Sequence, residues 1–250
     1  MTNNFKVRMK TLFVLSIILM ALPFVGIGQT KTILTSNRLF AKNDKSLEFE
    51  KALAAHAQKY HTGDVKWRVW TIESGPDAGG YMISEGPTSW SFLDGRGDLG
   101  TEHMNDWAKN VMPLTMGQGQ SAYSDFLPDL STVQLTDYAD KIVITHIITK
   151  PGMPLKVREL IQKLKKVWEA GNESVAVYSM AASGDPGFTI VNRLKAGLKE
   201  LASDYRKPMP ERYNAIYGAG AYDIYLKDYA DAVQSRFSEI LMYKASLSSK

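Results

Sequence analysis

Two short stretches of sequence decide the fold: residues 141–146 read KIVITH, and residues 32–37 read TILTSN. Both are rich in β-branched residues, which favour strands. Each stretch is followed by apolar residues at intervals of three and four, a spacing that is typical of a helix packed on a core. The strand and its helix therefore occur twice, at an offset of 109 residues, and the sequence predicts two copies of one structural unit.

The segments that follow each helix also match in kind and order. They are residues 65–72 and 175–180, residues 80–83 and 187–190, and residues 117–123 and 218–222. The first two pairs have the composition of strands joined by a turn, and the third pair is rich in glycine. Helical spacing is predicted next over residues 126–133 and 225–233, and an extended piece over residues 236–244 ends the second unit.

The order of these elements predicts the fold class. Each unit reads as strand, helix, two strands, helix and strand, which is the ferredoxin-like β-α-β-β-α-β arrangement. Such a unit forms an antiparallel sheet with helices on one face, so the other face must be covered. A second unit in the same chain can cover it. We therefore predict an α+β protein in which two tandem ferredoxin-like units, residues 29–138 and 139–250, form an intramolecular pseudo-dimeric barrel.

The paired units resemble the dimeric α/β-barrel superfamily, which includes the antibiotic-biosynthesis monooxygenases and the NIPSNAP-like and EthD-like proteins. The resemblance covers most of residues 31–246 and lies in the pattern of elements, not in a signature motif. It implies that the sheet face opposite the helices lines a barrel interior, where relatives place a substrate or haem. Because these relatives include oxygenases, haem proteins and proteins without known chemistry, the resemblance implies a fold more strongly than an activity.

The first 28 residues have the three parts of a secretory signal peptide. Lys6, Arg8 and Lys10 precede an apolar run at positions 12–25, and small residues at 26–28 end it. The run is shorter than the roughly 20 residues that a membrane-spanning helix needs. We therefore predict a protein that a Gram-negative bacterium exports to the periplasm or the medium, with no membrane span left after cleavage. An uncleaved membrane anchor is the alternative.

Charge and composition exclude several classes of protein. The chain carries a net charge of +4, but residues 1–28 contain three basic and no acidic residues, so the remaining chain carries +1. This balance argues against a nucleic-acid partner, which requires a dedicated basic face. The chain has no cysteine, which excludes a thiol nucleophile and a disulfide framework. The motifs of serine hydrolases, zinc proteases and P-loop proteins are also absent.

The four histidines of the chain do not predict a metal centre. His56 and His61 are five residues apart, a spacing that does not place both on one face of a helix. His56 shares a helix face with apolar residues and is expected in the core, whereas His61 and His103 lie in polar surroundings and are expected to be solvated. No metal site is therefore predicted, because such a site needs ligands that converge.

His146 is the candidate catalytic residue. It lies within a predicted strand, where alternation places it on the same face as Ile144 and Ile148. An imidazole among isoleucines must find a partner or face a cavity, and a buried imidazole bonded to a neighbouring strand is the purely structural alternative. By the resemblance, this face lines the barrel. There His146 and its counterpart Asn37 are candidates to transfer a proton or to orient a substrate.

Aromatic residues form the candidate ligand site. Alternation along residues 65–72 places Arg68 and Trp70 on one face and Trp67 on the other. Aromatic residues usually pack in the core, but Arg68 beside Trp70 also suits a planar ligand that stacks on the indole and contacts the guanidinium. Trp67 and Tyr81 complete the predicted ligand-binding set.

These observations support three hypotheses of function. The first is an exported barrel protein that binds a small apolar or aromatic ligand. The second is a cofactor-independent monooxygenase-like enzyme, or a haem-linked enzyme, that uses His146 or Asn37. The third is a structural or interaction protein without a ligand. A homodimer is compatible with all three, and apart from the haem alternative no cofactor is predicted.

Overall fold

The computed structural model describes residues 30–97, 99–117 and 119–250. The predicted signal peptide, residues 1–28, lies outside the described residues. In the part of the chain that the structure describes there are eight strands and six α-helices. None of these helices is both long enough and apolar enough to cross a membrane.

The eight strands form one closed antiparallel barrel. They are β1 (Ile33–Leu39), β2 (Trp67–Ile72), β3 (Tyr81–Thr88), β4 (Gln120–Phe126), β5 (Lys141–Thr149), β6 (Val175–Ala181), β7 (Gly187–Arg193) and β8 (Val233–Tyr243). Around the barrel, neighbouring strands follow the order β1-β3-β2-β8-β5-β7-β6-β4. Because the sheet closes on itself, every strand has a partner on both sides.

Each half of the chain supplies four adjacent strands in the same order. The first half forms β4-β1-β3-β2, and the second half forms β8-β5-β7-β6. The two halves join where β2 pairs with β8 and where β4 pairs with β6. This topology confirms the predicted α+β class and the arrangement of two ferredoxin-like units as a barrel within one chain.

The α-helices lie on the outside of the barrel. They are α1 (Ser46–Tyr60), α2 (Trp90–Arg96), α3 (Thr101–Asp106), α4 (Pro154–Ala170), α5 (Met209–Tyr217) and α6 (Ala221–Ala232). Helix α1 buries Phe49 and Leu53 against Val69 and Ile83 on the outer face of the sheet. Residues four apart lie on one side of a helix, so each packed helix needs only a single apolar stripe.

The sequence predicts a helix over residues 126–133, and this prediction is wrong. Strand β4 occupies the start of this segment, and the chain then runs beside β6, where the Thr132 N–H donates to the Val175 carbonyl at 2.8 Å. Leu130 packs into the core beneath the helices of the second half, whereas Phe126 packs against Tyr178, so the apolar spacing of this segment reflects two separate contacts. The second helical part of the first half is formed by α2 and α3, which come before β4 instead.

Gly187 allows β5 and β7 to approach closely. A Cβ atom at this position would lie 2.3 Å from the carbonyl oxygen of Ile147, a distance that no side chain tolerates. Glycine in a strand often marks such a close approach of two backbones. The approach fixes the register in which His146 is paired with Thr189.

Candidate functional site

The barrel encloses a cavity of about 270 Å³. Alternation along the strands decides its lining, because every second residue of a strand points inward. On β5 the inward side chains include Ile144, His146 and Ile148, and apolar residues such as Met82 and Val191 come from other strands. A wall of this kind suits a small, largely apolar molecule.

A charged network lies in this wall, and Arg38 and Glu239 form its centre. Arg38 Nη1 donates to Glu239 Oε2 at 2.8 Å and to Asp77 Oδ2 at 2.7 Å. Arg38 Nη2 also donates to Glu239 Oε1, and His146 Nε2 lies 2.7 Å from the same Oε1 atom. Arg38 and Asp77 belong to the first half of the chain, whereas His146 and Glu239 belong to the second, so the site needs both halves.

The network keeps Glu239 ionised although its side chain is fully buried. Burial by itself would raise the pKa of this carboxyl, but the hydrogen bonds from Arg38 and His146 outweigh burial and lower the pKa to about 2. An ionised carboxylate only accepts hydrogen bonds, so His146 donates through Nε2, and in the neutral imidazole Nδ1 is then the acceptor. Glu239 therefore fixes the tautomer and orientation of His146, as the carboxylate does in a catalytic triad.

Packing also holds the imidazole of His146 in place. The ring stacks on Phe237 of β8, with centroids 4.5 Å apart and planes inclined by 21°. The side chain remains 18% exposed and lines the cavity. A fixed imidazole with one acceptor nitrogen in an apolar cavity is equipped to act as a general base.

Two of the predicted ligand residues, Trp70 and Arg68, line the cavity. Trp70 Nε1 donates to Ser84 Oγ at 3.3 Å, which fixes the indole. The guanidinium carbon of Arg68 lies 3.6 Å from the centroid of the Tyr138 ring, a cation–π contact. Because Arg68 already stacks on a ring of the protein, Trp70 is the predicted ligand residue whose ring can still stack on a planar ligand.

Trp67 and Tyr81, the other predicted ligand residues, lie on the outer face of the sheet. Trp67 Nε1 donates to Glu85 Oε2 at 2.9 Å. The Tyr81 hydroxyl donates to Glu50 Oε1 on α1, also at 2.9 Å. Neither side chain reaches the barrel cavity, so the structure does not bring the four predicted ligand residues together.

Asn37 is displaced from the site by one position. The match between residues 32–37 and 141–146 makes Asn37 the counterpart of His146. In the structure the inward residue is Arg38, whereas Asn37 points outward and accepts a hydrogen bond from Ser121 Oγ at 2.6 Å. A shift of one residue moves a side chain to the other face of a strand. The structure therefore brings Arg38 to His146 in place of Asn37.

Arg38, Asp77 and Glu239 are not among the site residues that the sequence predicts. Of the three, only Glu239 could have been found from the sequence, because it alternates with Phe237 and Leu241 on one face of β8. A carboxylate at an inward position needs a buried partner. The sequence does not show which strand supplies that partner, because the order of strands around the barrel decides it.

Three histidines that were not predicted to meet do converge outside the barrel. His56, His61 and His103 place their ligand atoms within 4.8 Å of one another. His61 is buried, so the expectation that it is solvated is wrong, and His103 is half-buried. Burial lowers the pKa of His56 and that of His61, which favours the neutral imidazole in both.

No protein-family model matches the chain, and no curated protein matches its sequence. Solved structures do resemble it. A proposed monooxygenase of Fusobacterium nucleatum is 14% identical with a TM-score of 0.54, over 84% of this chain and 91% of that one. An anthrone oxidase-like protein is 14% identical with a TM-score of 0.54, over 86% of this chain and 92% of that one.

A proposed monooxygenase of Lactobacillus acidophilus is 11% identical with a TM-score of 0.49, over 84% of this chain and 93% of that one. At identities this low, a structural likeness establishes the fold alone. The chain has the dimeric α+β-barrel fold, with both ferredoxin-like units in one polypeptide.

Proposed function

We propose that the barrel is an enzyme that binds a small, largely apolar, planar molecule and uses His146 to take a proton from it. The observation that carries this proposal is the buried, ionised Glu239, 2.7 Å from His146 Nε2 at the wall of an apolar cavity. A site that only binds an apolar ligand gains nothing from a buried charge. A site that must hold one imidazole in one tautomer does.

The proposed reaction is oxidation of an acidic CH₂ group by dioxygen. His146 Nδ1 accepts a proton from carbon, and the Glu239 carboxylate stabilises the imidazolium that forms. The carbanion is delocalised into the rings of the substrate and is oxidised by dioxygen. The CH₂ group becomes a C=O group that contains one oxygen atom, and the second oxygen atom leaves as water with the two hydrogens. The contribution of the protein is the proton transfer and the exclusion of bulk water.

The names of two structural neighbours support this class of reaction: one is a proposed monooxygenase and one is anthrone oxidase-like. Anthrone is a planar, three-ring ketone with an acidic CH₂ group, so it has the features that the cavity and His146 favour. It is therefore the probe of choice, whatever the natural substrate is.

Haem, the other enzyme alternative, does not fit the barrel. A macrocycle of four pyrrole rings needs far more room than about 270 Å³, and Nε2 of His146 is engaged by Glu239. A second cavity of about 320 Å³ lies outside the sheet of the second half, beside Trp168 and Tyr225. No histidine of the described residues lines it. The proposed reaction therefore does not involve haem.

The test is dioxygen uptake by the purified chain with anthrone at neutral pH, corrected for uptake without protein. One dioxygen should be consumed for each anthraquinone formed. His146→Ala is expected to lower kcat by about 100-fold or more, because general-base catalysis contributes factors of about 10²–10⁴. Asn37→Ala is the control, and it should keep the wild-type rate because this side chain points away from the cavity.

A non-catalytic ligand-binding protein is the second candidate, and the indole of Trp70 in the cavity wall favours it. Under this alternative anthrone still changes the tryptophan fluorescence, and Trp70→Phe removes most of that change. If anthrone binds in this way but no dioxygen is consumed, the result supports the ligand-binding protein. If anthrone neither binds nor is oxidised, both proposed functions of this cavity are wrong.

We also propose that the chain is exported by a Gram-negative bacterium to the periplasm or the medium. The proposal rests on residues 1–28 of the sequence alone. Expression in a Gram-negative host followed by intact-mass spectrometry should give a chain that starts at Gln29. An intact chain recovered from the membrane fraction would support the anchor alternative.

A further inference from the structure

Three of the four histidines of the chain meet outside the barrel. His56 projects from α1, His61 directly follows that helix, and His103 lies on α3. Their ligand atoms lie within 4.8 Å of one another. The side chains of His56 and His61 are 0% and 1% exposed, and His103 is half-buried. The proposed function makes no use of this cluster.

A hydrogen bond at Nδ1 orients each of the two buried histidines. His56 Nδ1 lies 2.7 Å from Asp106 Oδ2, and His61 Nδ1 lies 3.2 Å from the carbonyl oxygen of Val65. A neutral imidazole that donates through Nδ1 presents a lone pair at Nε2. Metal-binding histidines show the same pattern, because their other ring nitrogen donates to a carboxylate or a backbone carbonyl.

Two of the three Nε2 atoms have the spacing that a shared ion requires. His61 Nε2 lies 3.3 Å from His103 Nε2. Two nitrogens that are each about 2.0–2.1 Å from a tetrahedral ion lie roughly 3.3–3.4 Å apart. His56 Nε2 is buried and has no hydrogen-bond partner among the residues that the structure describes. It is therefore a third nitrogen with a lone pair to donate to the same ion.

Aromatic packing holds the cluster rigid. The His61 ring stacks on Trp67 with centroids 3.4 Å apart, and a hydrogen bond to Glu85 fixes Trp67. Trp107 packs against His56 with centroids 5.1 Å apart. Ligands that are already ordered lose little freedom when the ion binds. The two indoles also lie close enough to report binding.

We propose that the Nε2 atoms of His56, His61 and His103 bind one divalent ion of the zinc class. Water completes the coordination on the half-exposed side of His103, as in zinc sites with three protein ligands. Three imidazoles select Zn²⁺, Co²⁺, Ni²⁺ or Cu²⁺ and discriminate against Mg²⁺ and Ca²⁺, which prefer oxygen ligands.

The test is metal binding by the full purified chain, stripped with a chelator and then incubated with Zn²⁺. After desalting, elemental analysis should find one Zn²⁺ per chain. The same treatment with Mg²⁺ should leave no bound Mg²⁺. Co²⁺ should give the visible absorption bands of a tetrahedral site, and Zn²⁺ should abolish them. Ni²⁺ should quench the fluorescence of Trp67 and Trp107.

The variants separate this site from surface binding. His103→Ala should weaken Zn²⁺ binding at least tenfold and should fold, because His103 is half-buried. Asp106→Asn should weaken binding by about 10–100-fold, as loss of an outer partner of a ligand does. His146→Ala is the matched histidine control and should bind Zn²⁺ as the wild type does. Wild-type protein that retains no Zn²⁺, or equal losses in His103→Ala and His146→Ala, would overturn the proposal.

Discussion

Replacement of Glu239 by alanine is expected to lower the free energy of unfolding by about 3–5 kcal/mol. The carboxylate is fully buried and binds Arg38, whose side chain is only 10% exposed. Its removal leaves a buried guanidinium with Asp77 as its remaining anionic partner. In a chain of this size, thermal unfolding should shift down by roughly 6–20 °C. Differential scanning calorimetry measures both quantities.

A double variant distinguishes the destabilisation caused by an unpaired buried charge from the net contribution of the ion pair to stability. Replacing both members of a buried ion pair by apolar residues of similar volume often leaves the stability of the protein unchanged or raises it. Arg38→Met combined with Glu239→Leu should therefore recover most of the stability that Glu239→Ala loses. Equal stability of wild type and Glu239→Ala would contradict the buried network itself.

The same carboxyl predicts a dependence on acid pH. The pKa of Glu239 is lowered from an ordinary value near 4.5 to about 2, which corresponds to roughly 3 kcal/mol because one pKa unit is worth about 1.4 kcal/mol. A lowered pKa contributes stability that is complete above the unfolded pKa and is lost as the pH falls through the folded one. The stability difference between wild type and Glu239→Gln should therefore be constant above about pH 5 and shrink between pH 4.5 and 2.

The fold class is predictable from the sequence because its signals are local. Strand alternation and helical spacing depend on neighbouring residues, and both units carry them in the same order. The wrong helix over residues 126–133 shows the limit of this approach. The backbone of that segment bonds to β6, and Thr132 reaches Val175 only in the folded barrel. Duplication as the origin of the two units stays a prediction.

Half of the candidate site is predictable for the same reason. Alternation places His146 on an apolar strand face, which identifies it as a residue that needs a partner. The partner Glu239 is 93 positions away along the chain, and Arg38 is 108 positions away. The closure of the barrel decides both contacts, and no spacing rule encodes them. His61 and His103 are likewise 42 positions apart and meet only because α3 packs near α1.

The apolar residues packed between α1 and the outer face of the sheet should contribute to the stability of the fold but not to the activity of the barrel cavity. Phe49→Ala on α1 is expected to lower the free energy of unfolding by about 3–5 kcal/mol, because a buried ring leaves a cavity that the structure cannot close. Phe49 is 0% exposed and packs on Tyr81, with ring centroids 5.0 Å apart. Chemical denaturation monitored by far-UV circular dichroism gives this value.

Leu47 provides the matched control, because it lies on the same helix and is 82% exposed. Leu47→Ala should change the free energy of unfolding by no more than about 0.5 kcal/mol. Phe49 packs on the outer face of the sheet, whereas His146 lies on the inner face, so folded Phe49→Ala should keep the wild-type rate with anthrone. If this variant is fully folded but loses as much activity as His146→Ala, then the packing outside the sheet and the cavity inside it are not independent. In that case packing under α1 would set the geometry of the cavity as well as the stability of the barrel.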